Sequence, residues 1–132
     1  MNGFITDIEQ ETVANTAFRK VLYTGQHSQL VLMSLKPGED IDLEIHNDND
    51  QFFRFEQGEG ICFIDSHEHK VKDGSAVVIP AGAEHNILNT SKTEDLKMYT
   101  IYSPPHHQDG IIRHTKSEAV ENEADFDGVT TE

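Results

Sequence analysis

The sequence predicts an all-β fold closed into a barrel or sandwich. Three observations predict it. Short apolar runs recur at intervals of about ten residues through the middle of the chain, the spacing of successive strands in antiparallel β folds. Turn signals punctuate those runs at Pro37-Gly38, Asp73-Gly74 and Pro80-Ala81-Gly82. No segment of the middle carries the apolar period of a helix.

The elements follow in order. MNGFITDIEQETVAN is weakly amphipathic and reads as a short helix or an irregular arm leading into AFRKVLYT. QLVLMSL, Gln29 to Leu35, is apolar and stops at the Pro-Gly turn. QFFRFE is the next strand. ICFID, the polar turn SHEH and KVKDG read as a hairpin. AVVIP, HNILNT and LKMYTIYS complete the series. After Pro104-Pro105 the composition shifts: SEAVENEADFDGVTTE has six acids and no base, the pattern of a solvated helix followed by coil. A barrel domain with its N-terminal arm is therefore expected over residues 1–105, and an acidic C-terminal tail, helical or mobile, over residues 106–132.

Composition excludes several classes of function. A chain of 132 residues suggests one domain with a modest core. A net charge of −14 repels nucleic acid and anionic membrane surfaces. No apolar run approaches the roughly 20 residues of a membrane-spanning helix. The opening residues, MNGFITDIEQE, are acidic and lack a charged-then-apolar leader, so the expected location is cytoplasmic. Cys62 is the only cysteine, which rules out an internal disulfide; in the run ICFI it reads as a buried, inert thiol.

The most specific string is Gly74-SAVVI-Pro80-Ala81-Gly82-Ala83-Glu84-His85-NIL-Asn89. It matches the pattern G-x5-P-x-G-x2-H-x3-N without a gap: a strand, a tight turn, and a second strand opening with a histidine. In this the chain resembles the cupins, whose second motif it reproduces. The first cupin motif, G-x5-H-x-H-x3–4-E-x6-G, is matched in part. Gly38 and Gly58 fall on its glycines and His46 on its second histidine. Glu44 stands at the first histidine position and Gln51 at the glutamate position.

The resemblance covers Val31 to Tyr102 and implies a cupin double-stranded β-helix, a jelly-roll barrel, with a short N-terminal arm and an acidic C-terminal tail. It also implies a homodimer and a divalent transition metal (zinc, iron, manganese, nickel or copper) held by Glu44, His46, Gln51 and His85. Strand alternation puts Glu44 and His46 on one face. The family set of three histidines and a glutamate carries a charge of minus one, and so does this set. Two histidines and one carboxylate also compose many non-haem iron sites with open positions. Gln51 would coordinate through its carbonyl oxygen or orient a ligand. Zinc phosphomannose isomerases, themselves cupins, use the same residue types with the glutamine and glutamate positions exchanged.

Phe53 and Phe55 share the parity of Gln51 and are expected to line the pocket as an apolar wall. Tyr99 is expected to face it in preference to Tyr102, which has the opposite parity. Arg54 is expected to face out, toward a subunit contact. His67 and His69 read as surface residues, His106, His107 and His114 as loop histidines, and His27 as a turn residue. Two classes of function are implied. One is a metal-dependent enzyme acting on a small molecule inside the barrel, a dioxygenase or a sugar-isomerase-like enzyme. The other is a non-catalytic module that binds a small ligand for sensing or storage.

Overall fold

Two antiparallel sheets enclose a shared apolar interior in the computed structural model, which describes residues 1–132. The element order is α1 (Ile8–Ala14), β1 (Arg19–Thr24), β2 (Gln29–Leu35), β3 (Glu44–Ile45), β4 (Asp50–Gln57), β5 (Glu59–Ile64), β6 (His67–Lys72), β7 (Ala76–Ile79), β8 (Glu84–Asn89), β9 (Leu96–Ser103), β10 (Ile112–Arg113) and α2 (Lys116–Glu121). The larger sheet runs β10-β1-β2-β9-β4-β7 and the smaller β3-β8-β5-β6. This is the jelly roll expected from the sequence. No helix is long and apolar enough to cross a membrane.

Alternation decides what faces inward. On β4, Gln51, Phe53 and Phe55 are buried, while Phe52 and Arg54 between them are only partly covered. Their partners on β9 are Tyr102, Thr100 and Met98, all buried. Val31, Met33 and Leu35 from β2 meet Cys62, Val71 and Ile87 from the smaller sheet in the same core. Burial pushes the Cys62 thiol up to about 11, which keeps it protonated and inert.

The motif's turn and its final residue have local causes. The Ala83 N–H donates to the Pro80 carbonyl at 3.1 Å, and Gly82 holds φ +89° at the third position of that turn, a conformation that suits glycine. The motif's final residue, Asn89, is 1% exposed. Its amide donates to the carbonyls of Leu35 (3.0 Å) and Glu94 (2.8 Å), and its side-chain oxygen accepts from the Ser91 N–H (2.9 Å). It ties the ends of β2, β8 and β9 together.

Both ends of the chain are held. Asp7 caps α1, and Lys97, buried on β9, donates to the Val13 and Asn15 carbonyls at the helix C-terminus, 2.8 Å each. Thr115 caps α2 by accepting from the Glu118 N–H at 3.1 Å. The tail beyond α2 then folds back. Phe126 N–H donates to the His106 carbonyl, Gln108 N–H to Ala124, and Thr131 N–H to Thr24, each at 2.9 Å. The expected helix followed by coil is present, and the coil is strapped to the barrel.

Candidate metal centre

β3 and β8 are paired so that Glu44 lies opposite His85. His46 follows one residue after β3 and turns back to the same side. Its Nε2 is 3.0 Å from Glu44 Oε2, and His85 Nε2 is 4.0 Å from that same oxygen. The Gly82 N–H donates to the His46 carbonyl at 3.0 Å, so the motif turn also fixes the neighbouring ligand strand. The three donor atoms all lie within 4.8 Å of one another.

His85 is 1% exposed. Its Nδ1 sits 3.1 Å from the Ala83 carbonyl, an acceptor only, so Nδ1 carries the proton and donates. Nε2 is then a bare lone pair, buried, with no partner in the protein. Burial holds the imidazole below the ordinary histidine range; the Ala83 bond and Glu44 oppose that shift more weakly. The Gln51 amide behaves alike. Its Nε2 donates to Thr100 Oγ1 at 3.0 Å, and its Oε1 is buried without a partner. Unpartnered buried acceptors are unfavourable unless something meets them.

These observations test the fit of a metal. Donors bound to one ion at about 2.1 Å lie at most about 4.2 Å apart. Both separations from Glu44, 3.0 and 4.0 Å, fall within that reach, and the two histidine nitrogens lie within 4.8 Å of each other. Imidazole nitrogens, a carboxylate and an amide oxygen suit a divalent transition metal. The residues fit the group.

A cavity of about 270 Å³ opens beside Glu44 and His46, lined by Arg19, Glu44, Ile45, His46, His106, His107, Glu123, Ala124 and Asp125; His85 lies behind this lining. A larger concavity of about 560 Å³ along β5 and β6 contains no histidine. The mouth is polar, which corrects the expected apolar wall. Phe53 and Phe55 stack on each other, centroids 6.3 Å apart, at 0% exposure in the core. They fill the barrel and do not line the opening. Tyr99 is corrected too. It pairs with Arg54 and meets Phe52 at 6.2 Å on the outer face. Tyr102, opposite Gln51, is the inward tyrosine. Its ring lies 5.8 Å from that of His46, and burial raises its hydroxyl above the ordinary range.

Two of the loop histidines also line this cavity. The His106 ring is 4.3 Å from His46 and stacks on Tyr102 at 5.3 Å. His107 is 7% exposed, its Nε2 3.2 Å from the Tyr102 hydroxyl. Gln29, buried at the start of β2, holds both in place. Its oxygen accepts from the His106 and His107 N–H groups at 3.1 and 2.9 Å, and its amide donates to the His107 carbonyl at 2.7 Å. Burial lowers the proton affinity of both rings, with Arg19 adding to the effect at His107. His114, His67 and His69 are exposed, as expected. Arg54 points outward and pairs with Glu56 at 3.3 Å.

Comparison with known proteins agrees with this architecture. The family model described as "Cupin domain" matches residues 31–102. The uncharacterized protein YrkC of Bacillus subtilis (strain 168) is 49% identical over 123 residues, spanning 89% of this chain and 66% of that protein. The uncharacterized protein L612 of Acanthamoeba polyphaga mimivirus is 47% identical over 112 residues, covering 83% of this chain and 70% of its own length. The chain thus spans about two thirds of these relatives. The crystal structure of BH2720 from Bacillus halodurans superposes with a TM-score of 0.89 at 43% identity, covering 92% of this chain and 96% of that one. With the domain match covering more than half its length and the jelly roll in place, the chain belongs to the cupin family.

Proposed function

We propose that this cupin binds a divalent transition metal through Glu44, His46 and His85 at the barrel mouth and is an enzyme acting on a small polar molecule beside it. The observation that carries the reading is the buried lone pair of His85 Nε2, which has no partner and lies 4.0 Å from Glu44. The Gln51 oxygen supports a fourth donor. Bound there, the metal would supply a Lewis acid that polarises a carbonyl or hydroxyl oxygen.

The chain's own residues do the remaining work. The Ala83 carbonyl holds the His85 ring in its ligating tautomer. His106, with its ring 4.3 Å from that of His46, would be the group that moves a proton. The tail segment from Glu123 to Asp125 narrows access for bulk water. A polar mouth supports isomerase-like proton transfer over dioxygen chemistry. A homodimer is part of the proposal, supported by the outer face of the larger sheet, where Val78 is 66% exposed near Phe52 and Tyr99. Sedimentation at micromolar concentration reads it.

The test is elemental analysis of protein purified without chelator, beside a Glu44→Ala/His85→Ala double variant. About one metal per chain, lost in the variant, is expected on this reading. No metal, and none taken up on addition, overturns it. With metal bound, interconversion of isomeric sugars supports an enzyme. Stabilisation by a ligand without turnover supports the binding-only alternative.

A further inference from the structure

β1 turns an arginine into the barrel. Arg19 pairs with buried Met33 and shares its face with buried Val21. Its side chain lines the same cavity as Glu44, His46, His106 and His107. Nε is buried and has no hydrogen-bond partner. No carboxylate forms an ion pair with it; the five ion pairs of the protein involve other residues. Its neighbours are the Phe18 ring, 5.5 Å from the guanidinium carbon, and Arg113, another cation, opposite it on β10. Arg113 directs its own nitrogens to the Asn122 carbonyl.

The lack of a partner is not for want of acids. The chain has 24 acidic residues against 10 basic ones, yet none is spent on Arg19. Glu44 is engaged with His46. Glu123 and Asp125, at the rim of the cavity, are exposed and solvated. Arg19 is half-buried, its Nε is covered without an acceptor, and a guanidinium offers a planar fork that fits a carboxylate in two hydrogen bonds.

We propose that Arg19 is the anion-recognition residue of this cavity and that its ligand is a small monocarboxylate. The carboxylate sits on the guanidinium, and the ligand's other polar end faces Glu44 and His46. Placement of that second end rests on the metal reading; the need of Arg19 for an anion does not. Three carboxylates around the cavity disfavour a dianion such as phosphate more than a singly charged acid.

The experiment is calorimetric titration of the full chain, zinc-loaded and zinc-free, with glycolate and pyruvate, their amides, and inorganic phosphate. At least one carboxylate is expected to bind while its amide does not. Arg19→Gln is expected to weaken that binding tenfold or more, with Arg19→Lys recovering part of it. Zinc content is expected to stay unchanged in both variants. Absence of carboxylate binding in the parent, undiminished binding in Arg19→Gln, or a preference for phosphate overturns the proposal. Protein that takes up no zinc yet binds a carboxylate through Arg19 sinks the metal reading and leaves this one standing. Zinc uptake without carboxylate binding does the reverse.

Discussion

Glu44 and His85 are cross-strand partners in the β3–β8 ladder. Directly opposed residues of an antiparallel pair have Cβ atoms about 5 Å apart, so backbone pairing sets the spacing of two donors. A third, His46, is anchored by the Gly82 N–H. Backbone pairing and one turn thus bring the three candidate donors together.

Metal removal should therefore leave the fold intact. Chelated protein is expected to keep its far-ultraviolet circular dichroism while its Tm falls. At a free metal concentration of 100 times Kd, linkage amounts to about 2.7 kcal/mol. Scanning calorimetry with and without chelator measures it; loss of the β signal on chelation would contradict a preformed site.

Single substitutions separate ligands from bystanders. His85→Ala and His46→Ala are expected to bring metal content close to zero. Gln51→Leu is expected to weaken affinity by roughly 10–100-fold, the usual effect of losing a supporting group. His67→Ala, on exposed β6, should change nothing. Metal retained by the His85 variant and lost by the His67 variant would reverse the assignment.

Acid should destabilise the metal-free protein through its buried histidines. The folded values of His85, His106 and His107 all lie below the ordinary 6.5, chiefly because burial opposes their charged forms. The unfolded chain then binds more protons in this range, so stability is full above 6.5 and is lost as pH falls from there through the lowered folded values. Urea midpoints at steps between neutrality and mildly acid pH measure the slope. His107→Gln should flatten it, and an unchanged slope would count against the buried histidines as its source.

Asn89→Ala removes three hydrogen bonds at a 1% exposed position. At about 1 kcal/mol each, the expected loss is about 3 kcal/mol. Urea unfolding reads it, and metal stoichiometry should not change.

Phe53→Ala provides the complementary case. A cavity in the core should cost about 3–5 kcal/mol while metal uptake persists. Loss of metal in a still-folded Phe53 variant would place that ring at the site after all.

Much of this was legible in the residues. Gln29–Leu35 and Leu96–Ser103 read as strands from their apolar runs, with bounds the structure reproduces. The resemblance to the two cupin motifs pointed to Glu44, His46, Gln51 and His85, and the structure brings Glu44, His46 and His85 together. Tyr99 was misplaced because parity within β9 says only that it and Tyr102 face opposite ways; register against β4 decides which faces in. Arg19, His106 and His107 reach the mouth through long-range contacts, to Met33 for the first and to Gln29 for the others. Spacing carries no such information. The parity that Arg19 shares with Val21, and the polar Gln29 heading an apolar strand, were the available signals.

The tail that crosses the mouth comes from residues beyond 115, whereas the metal donors come from residues 44 to 85. Inner and outer walls are thus written in separate stretches of the gene. Substitutions at Glu123 or Asp125 are expected to alter what can enter the cavity while leaving Glu44, His46 and His85 in place. On the proposed reading, variation confined to the C-terminal segment would change ligand preference and leave the β3–β8 strand pair as it is.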